Sequence, residues 1–344
     1  MPRFNEEKYD VSLIGLREPD QAYENLKSQG IRLSSLNRGR FDFGTVNAIA
    51  SLVRKEKVDI LHLHGYGASN FGQMAARLTG VKTIIHEHFV DPKLPVYQKP
   101  FDFVLAPFVD HAFAVSASVR EFMVKKRFIP RSKVEVLYNG APLNEFKPFS
   151  ASEIIRERKQ WNIPDDTQLI GTVGRLDTQK GLRYLIEAAS LLLGQKDRNV
   201  RFIIAGDGPL MESLRQQSRE LGVEDAFIFT GHYSNIPLLQ SMIDIQAFPS
   251  LWEGTPLTLF EAMSMNLPII STDVDGLGEV LTSGQNALVV PPKDPTALAS
   301  GIAKLLDDPE LAQRLSENAL NDSKKFDIQN SVTRMEEIYD SLAR

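Results

Sequence analysis

Two carboxylates lie eight positions apart in the segment that runs from Ser250 to Met263. Glu253 falls in a Gly-Thr-Pro turn, and Glu261 falls inside the helix that the apolar spacing predicts after the turn. The backbone N–H groups of the turn face the space above the helix N-terminus, where anions are favoured. This pattern suits a polyhydroxylated or phosphorylated ligand. Two carboxylates at this spacing are more often ordinary solvated charges than ligand-binding groups. The neighbouring elements must therefore decide between these two interpretations.

A second segment places two cations at the end of a buried strand. The pattern predicts a strand over 169–173, a glycine turn at Gly174, and then Arg175 and Lys180, five positions apart, before an apolar-periodic helix. The carboxyl ends of parallel strands are where open α/β sheets bind ligands. A guanidinium and an ammonium at this place suit a diphosphate. The alternative is a pair of surface basic residues without a ligand.

Four histidines form two alternating pairs. His62 and His64 share one face of a predicted strand, and His86 and His88 do the same on the next. Paired imidazoles suggest a metal site, but the chain has no cysteine, and no trio of carboxylates has an obvious ligand spacing. The alternative is that His62, His64 and His86 are packed or hydrogen-bonded at strand ends. We therefore expect no metal centre.

Two weaker motifs carry less information. Gly206-Asp207-Gly208 resembles part of a dinucleotide fingerprint, yet Met211 occupies the position of its third glycine, which argues against a dinucleotide cofactor. The run 120–133 carries six basic residues interleaved with apolar ones. A solvated basic helix explains this run, and peripheral contact with an anionic membrane is the alternative.

The composition bounds the class of protein without selecting one. The 344 residues are 42% hydrophobic and 24% charged, which is enough chain for two domains with apolar cores. The net charge of −5 shows no overall excess of basic residues of the kind that nucleic-acid-binding proteins have. The absence of cysteine excludes disulfides and thiolate metal sites. Because no apolar run approaches about 18 residues and no export signal is visible, we expect a cytoplasmic protein, with the inner face of a membrane as the alternative location.

Strands and helices alternate along the chain, which predicts an α/β fold with parallel sheets. The predicted strands of the first half are 10–16, 60–64, 82–86, 112–115 and 134–137. Those of the second half are 169–173, 201–205, 226–229, 244–248, 268–271 and 287–290. Turn residues at 139–142 predict a domain change, a charged helix is predicted over 151–160, and a final helix is predicted over 327–342.

Several segments occur together in an order that resembles one known family. They are the Arg175/Lys180 pair, residues 203–209, residues 229–231, the Glu253/Glu261 segment, residues 268–273 and residues 286–292. From about Tyr9 to its C-terminus, the chain resembles the family-4 retaining, nucleotide-sugar-dependent glycosyltransferases of the GT-B fold. The resemblance implies two Rossmann-like parallel-sheet domains that face a cleft. Residues 1–142 would form the acceptor side and 143–325 the donor side, and a helix over 326–344 would return to the first domain.

The resemblance also implies roles for single residues. Arg175 and Lys180 would neutralise the donor diphosphate, and Glu261 would accept a hydrogen bond from the nucleotide ribose. Glu253 would hold the sugar and its phosphates, and His88 would reach the donor sugar or a phosphate. The donor-binding backbone would comprise Gly174, Gly254, Thr255, Pro256 and Leu257. No cofactor and no metal ion are implied, and UDP is the most frequent donor nucleotide of the family, with GDP and ADP as alternatives.

Two departures from the family pattern are visible. Members open with a β-strand, a glycine-rich loop and a helix before the segment that resembles residues 4–11. We therefore expect the first domain to lack its first βα unit in this sequence, either because the native chain starts upstream or because the first domain has adapted. That domain, residues 1–142, should then form a sheet that is short of one central strand. The second departure is Asp275, which replaces a glycine that is usual in the loop 273–279.

The sequence thus predicts a retaining glycosyltransferase that moves a sugar from a nucleoside diphosphate sugar to an acceptor hydroxyl. By resemblance, it would act in glycan, glycolipid or cell-envelope polysaccharide synthesis, with a sugar, lipid-linked or small-molecule acceptor and no nucleic acid partner. A nucleotide-sugar epimerase or phosphorylase on the same scaffold is one alternative. A noncatalytic GT-B scaffold that binds a nucleotide sugar or a partner is another.

Overall fold

The computed structural model describes residues 3–19, 21–28, 30–91, 94–195 and 198–343. The chain forms two compact units. The first unit consists of Met1–Tyr138 with Gln329–Arg344, and the second consists of Asn139–Ile328. The strand pairs of both units are parallel, which confirms the predicted α/β class.

Strands and helices alternate in both units, as the hydrophobic pattern predicts. The strands are β1 (Leu13–Gly15), β2 (Leu33–Ser35), β3 (Ile60–His64), β4 (Lys82–Glu87), β5 (His111–Ala114), β6 (Val134–Val136), β7 (Gln168–Val173), β8 (Val200–Ala205), β9 (Phe227–Gly231), β10 (Ile245–Phe248), β11 (Ile269–Thr272) and β12 (Leu288–Val290). The helices are α1 (Gln21–Ser28), α2 (Gly44–Glu56), α3 (Gly65–Thr79), α4 (Gln98–Leu105), α5 (Ala117–Lys126), α6 (Ala151–Gln160), α7 (Leu182–Gln195), α8 (Met211–Glu220), α9 (Ile236–Met242), α10 (Leu257–Ser264), α11 (Asp275–Val280), α12 (Pro295–Asp307), α13 (Pro309–Ser323) and α14 (Ile328–Ala343). The sequence pattern misses β2, because Leu33-Ser34-Ser35 contains a single apolar residue.

The second unit contains a six-stranded sheet in the order β12-β11-β10-β7-β8-β9. The order reverses between β7 and β10, where Ile170 is in register with Ile245. Successive residues of β7 enter different apolar cores: Leu169 packs with residues of α10, and Ile170 packs with residues of α7 and α12. Helices therefore cover both faces, which explains the nearly continuous apolar strands. In a sheet of this order, ligands bind beyond the carboxyl ends of the strands at the reversal.

The first unit divides its strands between two sheets. β1 pairs with β2, while β3, β4, β5 and β6 form a separate four-stranded sheet in that order. Within the residues that the structure describes, no strand pairs with both β1 and β3, so each of these strands keeps one edge without a ladder partner. The sequence predicts a single sheet short of one strand, whereas the structure has two sheets.

Helix α14 belongs to the first unit. Tyr339 stacks on Phe4 with the ring centroids 5.7 Å apart. Ile338 lies in an apolar cluster with Ile84 of β4 and Phe113 of β5. The last helix thus packs on the strands of this unit, although it directly follows the second unit in the chain.

Candidate active site

The cationic and acidic segments meet at the carboxyl ends of β7 and β10. The chain turns at Gly174 directly after β7, and a short 3-10 turn then ends at Lys180. The loop after β10 carries Glu253. Because β7 and β10 are neighbours at the reversal of strand order, these segments share one crevice. Residues 174–181 and 249–257 together are named the crevice site.

Three donors hold the Glu253 carboxylate in the crevice site. Its Oε1 accepts from Lys180 Nζ at 2.7 Å and from Ser250 Oγ at 2.9 Å. Its Oε2 accepts from Gln179 Nε2 at 3.0 Å. The side chains of Glu253 and Lys180 are only 5% and 20% exposed. In the structure, Glu253 therefore forms a shielded ion pair with Lys180.

A glycine brings the two loops of the crevice site together. Gly181 has φ +61°, and a Cβ there would lie 2.0 Å from the carbonyl oxygen of Pro249. The Leu251 N–H donates to the carbonyl oxygen of Gln179 at 2.7 Å. A side chain at position 181 would therefore push the loop after β10 away from the turn after β7.

The Gly-Thr-Pro turn before α10 is fixed by its neighbours. Asn139 Nδ2 donates to the Thr255 carbonyl oxygen at 2.7 Å. A Cβ on Gly276 would lie 1.4 Å from the carbonyl oxygen of Gly254, so only glycine fits at this close approach. The preceding residue, Asp275, has φ +24°. This left-handed conformation favours the glycine that the family pattern has at that position.

Glu261 lies on α10 and is partly buried. Burial raises the pKa of this carboxyl to about 7. Among the residues that the structure describes, none forms a hydrogen bond or an ion pair with the Glu261 carboxylate. A partly desolvated acceptor without a partner is suited to receive a hydroxyl donor from a ligand.

Arg175 takes no part in the bonds around Glu253. Its side chain is 74% exposed, and its Nε lies 4.0 Å from Asp177 Oδ2. A long, exposed guanidinium at the end of β7 can close on an anion in the crevice site with two parallel N–H donors. The two cations thus differ in how firmly they are held: Glu253 fixes the Lys180 side chain, whereas the exposed Arg175 side chain can change conformation.

The first unit contains a second group of polar side chains, at the carboxyl ends of β3 and β4. His62, His64, His86 and His88 form this histidine cluster, in which His64 and His86 are in register. His62 Nε2 lies 3.2 Å from His86 Nδ1, and His64 Nδ1 lies 2.8 Å from His88 Nε2. Burial lowers the pKa of all four imidazoles, that of His64 to about 4. The rings are therefore neutral at pH 7.

The basic run 120–133 is not a uniformly basic surface. Arg127 is fully buried, where its Nη1 donates to Glu87 and its Nη2 donates to Asp102 Oδ1 at 2.8 Å. The Lys133 ammonium donates to two backbone carbonyl oxygens, at 2.6 and 3.0 Å. The sequence interpretation of this run as a solvated face is wrong for Arg127, because its carboxylate partners lie far away in the sequence.

Comparison with known proteins identifies the family. Residues 153–322 match the family model for glycosyl transferases group 1, and residues 2–145 match the model for glycosyltransferase family 4. An alpha-D-kanosaminyltransferase from Streptomyces kanamyceticus is 30% identical over 272 residues, which cover 75% of this chain and 70% of that protein. The chain belongs to the family-4 glycosyltransferases.

This family-4 glycosyltransferase has further relatives. The Escherichia coli UDP-Gal:alpha-D-GlcNAc-diphosphoundecaprenol alpha-1,3-galactosyltransferase is 26% identical over 311 residues, which cover 87% of this chain and 79% of that protein. Among solved structures, Anabaena HepE in complex with UDP and glucose has a TM-score of 0.86 at 23% identity, with 97% of this chain and 93% of that chain covered. A glycosyltransferase from Rickettsia africae has a TM-score of 0.84 at 20% identity, with 97% and 90% covered. The predicted GT-B fold is confirmed, and the epimerase, phosphorylase and noncatalytic alternatives find no support.

The structure of this glycosyltransferase brings some of the predicted residues together. Lys180 bonds to Glu253, and a Cβ on Gly174 would lie 3.1 Å from Lys180 Cε. Glu261 and the half-exposed Leu257 lie on α10, which follows the turn containing Pro256. His88 lies in the other unit, within the histidine cluster.

The sequence analysis assigns no role at the site to four residues that contribute to it: Gln179, Ser250, Asn139 and Gly276. Gln179 adjoins Lys180 and Ser250 opens the Glu253 segment, so their proximity in sequence was an available signal. Asn139 and Gly276 act through backbone carbonyl groups of the 254–255 turn. No pattern of residue types indicates such contacts.

Proposed function

We propose that this glycosyltransferase binds the diphosphate of a UDP-sugar in the crevice site and transfers the sugar, with retention, to an acceptor hydroxyl. The observation that carries the proposal is the position of Arg175 and Lys180 at the end of β7, beside the reversal of strand order. The HepE structure contains UDP and glucose, and the name of the Escherichia coli relative specifies a UDP-galactose donor. Both names support UDP as the donor nucleotide.

The proposed reaction breaks the bond between the anomeric carbon and the diphosphate oxygen and forms a bond from that carbon to the acceptor oxygen. The acceptor attacks from the face that the diphosphate leaves, and the acceptor proton passes to the departing diphosphate. Negative charge therefore grows on the diphosphate as it departs. Lys180 and Arg175 stabilise that charge electrostatically, without a protein nucleophile and without a metal ion at the diphosphate.

The remaining residues have supporting roles in this proposal. Glu261 accepts from the nucleotide ribose, and the backbone of residues 254–257 holds the sugar and its phosphates. Glu253 orients Lys180 and contacts the sugar. His88 orients the donor sugar or donates a hydrogen bond to its phosphate as a neutral imidazole.

A donor panel tests this proposal. The purified chain is incubated with UDP-, GDP- and ADP-sugars in the presence of EDTA, and nucleotide binding and donor consumption are measured for each. We expect binding and consumption of at least one UDP-sugar, with EDTA changing the rate by less than about twofold. Absence of binding and of consumption with every donor would overturn the proposal, and loss of activity in EDTA would overturn its metal-independent step.

Substitutions of the two carboxylates should separate nucleotide binding from turnover. Glu261→Ala is expected to weaken binding of free UDP by about 1.5 to 3 kcal/mol, because it removes a charge-assisted hydrogen bond to the ribose. Glu253→Gln is expected to change turnover and sugar preference and to leave free UDP binding nearly unchanged. Calorimetry with free UDP measures both variants, and equal losses would contradict the division of roles.

The raised pKa of Glu261 also predicts that the stability of the protein depends on pH. The neutral carboxyl is favoured in the folded chain, so its contribution to stability is present below the unfolded pKa of about 4.5 and is lost as the pH rises through about 7. Glu261→Gln should therefore unfold at a higher temperature than the unchanged protein at pH 8, and the difference should vanish near pH 4. Thermal unfolding at both values checks this, since a constant difference would exclude titration of Glu261.

We also propose that the first unit contacts an anionic membrane to reach a lipid-linked acceptor. Phe103 is 68% exposed and meets the 44% exposed Phe128 edge to face, with ring centroids 5.8 Å apart. Lys125 and Lys126 are exposed beside Phe128 in the chain. Aromatic rings flanked by cations suit the interface of an anionic bilayer. In the described part of the chain, no helix is long and apolar enough to cross a membrane.

Vesicle binding tests the membrane contact. We expect the chain to sediment with vesicles that contain phosphatidylglycerol more than with pure phosphatidylcholine vesicles. Phe103→Ser combined with Lys126→Glu should reduce that binding by about tenfold, since each cation near the surface contributes about 1 kcal/mol. The matched control is Leu191→Ser, another partly exposed apolar residue, on α7. Equal binding to both kinds of vesicle, or an equal loss in the control, would contradict the proposal.

A further inference from the structure

The histidine cluster has the geometry of a metal site. His62, His64 and His86 each offer a ring nitrogen, and these three atoms all lie within 4.8 Å of one another. Zinc bound by imidazole at about 2.0 to 2.1 Å in a tetrahedral arrangement places its ligand nitrogens about 3.4 Å apart. The separation of His62 Nε2 from His86 Nδ1, 3.2 Å, is close to that value.

A hydrogen bond from outside the cluster orients His62. Its Nδ1 lies 2.6 Å from the hydroxyl oxygen of Tyr339 on α14. When Nδ1–H donates to this oxygen, the lone pair of His62 Nε2 is directed at the cluster. Metal-binding histidines are held in this way, with the second ring nitrogen donating to an oxygen acceptor.

His86 faces His62 from the next strand. His86 is 7% exposed, and its Nδ1 lies 3.2 Å from His62 Nε2. With Tyr339 accepting from His62 Nδ1–H, a neutral His86 that carries its proton on Nε2 places two lone pairs opposite each other at this distance. A cation between His62 Nε2 and His86 Nδ1 resolves this arrangement.

The chemistry of the donors selects the class of ion. Neutral imidazoles suit zinc, copper, nickel and iron, whereas magnesium and calcium prefer oxygen ligands. His64 is exposed, so an ion held by the three rings would keep a position open to an oxygen ligand.

We propose that His62, His64 and His86 bind one divalent transition-metal ion of the zinc class, with an open coordination position on the side of His64. This site goes beyond the proposed transfer reaction, and its test requires no turnover. It also departs from the sequence-based expectation of no metal centre, since that expectation could not anticipate that two strands and α14 converge on one set of rings.

The test is metal binding by the intact, metal-stripped chain. Co²⁺ is titrated and followed by its visible absorption, and Zn²⁺ is then added to displace it. We expect one ion per chain. His64→Ala, at an exposed position that leaves the fold intact, should weaken Co²⁺ binding by about tenfold or more.

A second variant distinguishes a metal site from simple packing. Tyr339→Phe keeps the ring that stacks on Phe4 but removes the acceptor for His62 Nδ1–H, and it should weaken Co²⁺ binding by about 10- to 100-fold. The control is His232→Ala, at an exposed histidine of the second unit, which should bind Co²⁺ as the unchanged chain does. Absence of saturable binding would overturn the proposal. So would unchanged affinity in both His64→Ala and Tyr339→Phe, or a loss confined to His232→Ala.

Discussion

Lys180→Ala is expected to slow sugar transfer by about 2 to 4 kcal/mol in activation free energy, which is roughly one and a half to three powers of ten in rate. The reason is the loss of a fixed positive charge at the place where the diphosphate departs. Arg175→Ala should also slow transfer, because we propose that its exposed guanidinium closes on the same anion. The measurement is the steady-state rate with a donor and acceptor that the unchanged enzyme uses. Rates within twofold of the unchanged enzyme in both variants would refute the assignment.

Stability has to be separated from catalysis in this experiment. Lys180→Ala leaves the nearly buried Glu253 without its cation, and an unpaired buried charge is destabilising. The double variant Lys180→Ala/Glu253→Gln removes that charge and should recover the unfolding temperature without recovering the rate. Arg183→Ala is the matched control, since it removes an exposed cation on α7 that pairs with Glu187 at 3.4 Å. A recovered rate in the double variant would mean that Lys180 acts through folding alone.

Arg127→Leu is expected to destabilise the first unit by about 3 to 5 kcal/mol. The substitution removes the cation that Glu87 and Asp102 share and leaves both carboxylates buried. Arg131→Leu serves as the control, because Arg131 is half exposed and pairs with Glu121 at 2.6 Å on the surface. Its loss should cost about 1 kcal/mol or less.

Urea unfolding followed by circular dichroism measures both free energies of unfolding. Hydrogen exchange of peptides from α4 and α5 then assigns the loss to the first unit, since Asp102 and residues near Arg127 lie there. The triple variant Arg127→Leu/Glu87→Gln/Asp102→Asn should regain much of the lost stability, because no unpaired charge remains. Equal destabilisation by Arg127→Leu and Arg131→Leu would show that burial adds nothing to the Arg127 interactions.

Local patterns were sufficient for most of the fold. Short segments rich in apolar and β-branched residues at 60–64 and 82–86 identify β3 and β4 to within one residue. The helix predicted over 151–160 is α6, which begins after a capping box at Ser150. The sequence misses β2, because its three residues include a single apolar side chain and the strand is defined by its pairing with β1.

Long-range pairing accounts for what the sequence could not supply at the site. The order of segments indicates that Lys180 and Glu253 belong to one site, but only the adjacency of β7 and β10 shows that they bond to each other. Arg127 illustrates the opposite error. Its neighbours in the chain are basic and exposed, whereas its partners Glu87 and Asp102 lie 40 and 25 positions away. Burial of a charge depends on such distant partners, and no local pattern encodes them.

The adjacency of β7 and β10 also determines when the crevice site comes into being during synthesis. Arg175 and Lys180 leave the ribosome before β8 and β9, and the loop with Glu253 follows only after both of those strands. The growing chain thus holds the cations of the site well before their carboxylate partner exists. Parallel pairing of strands that are distant in sequence requires closure of a long loop, which is slow. A nascent chain therefore cannot assemble the crevice site piecemeal, and the site is complete only after most of the second unit has emerged.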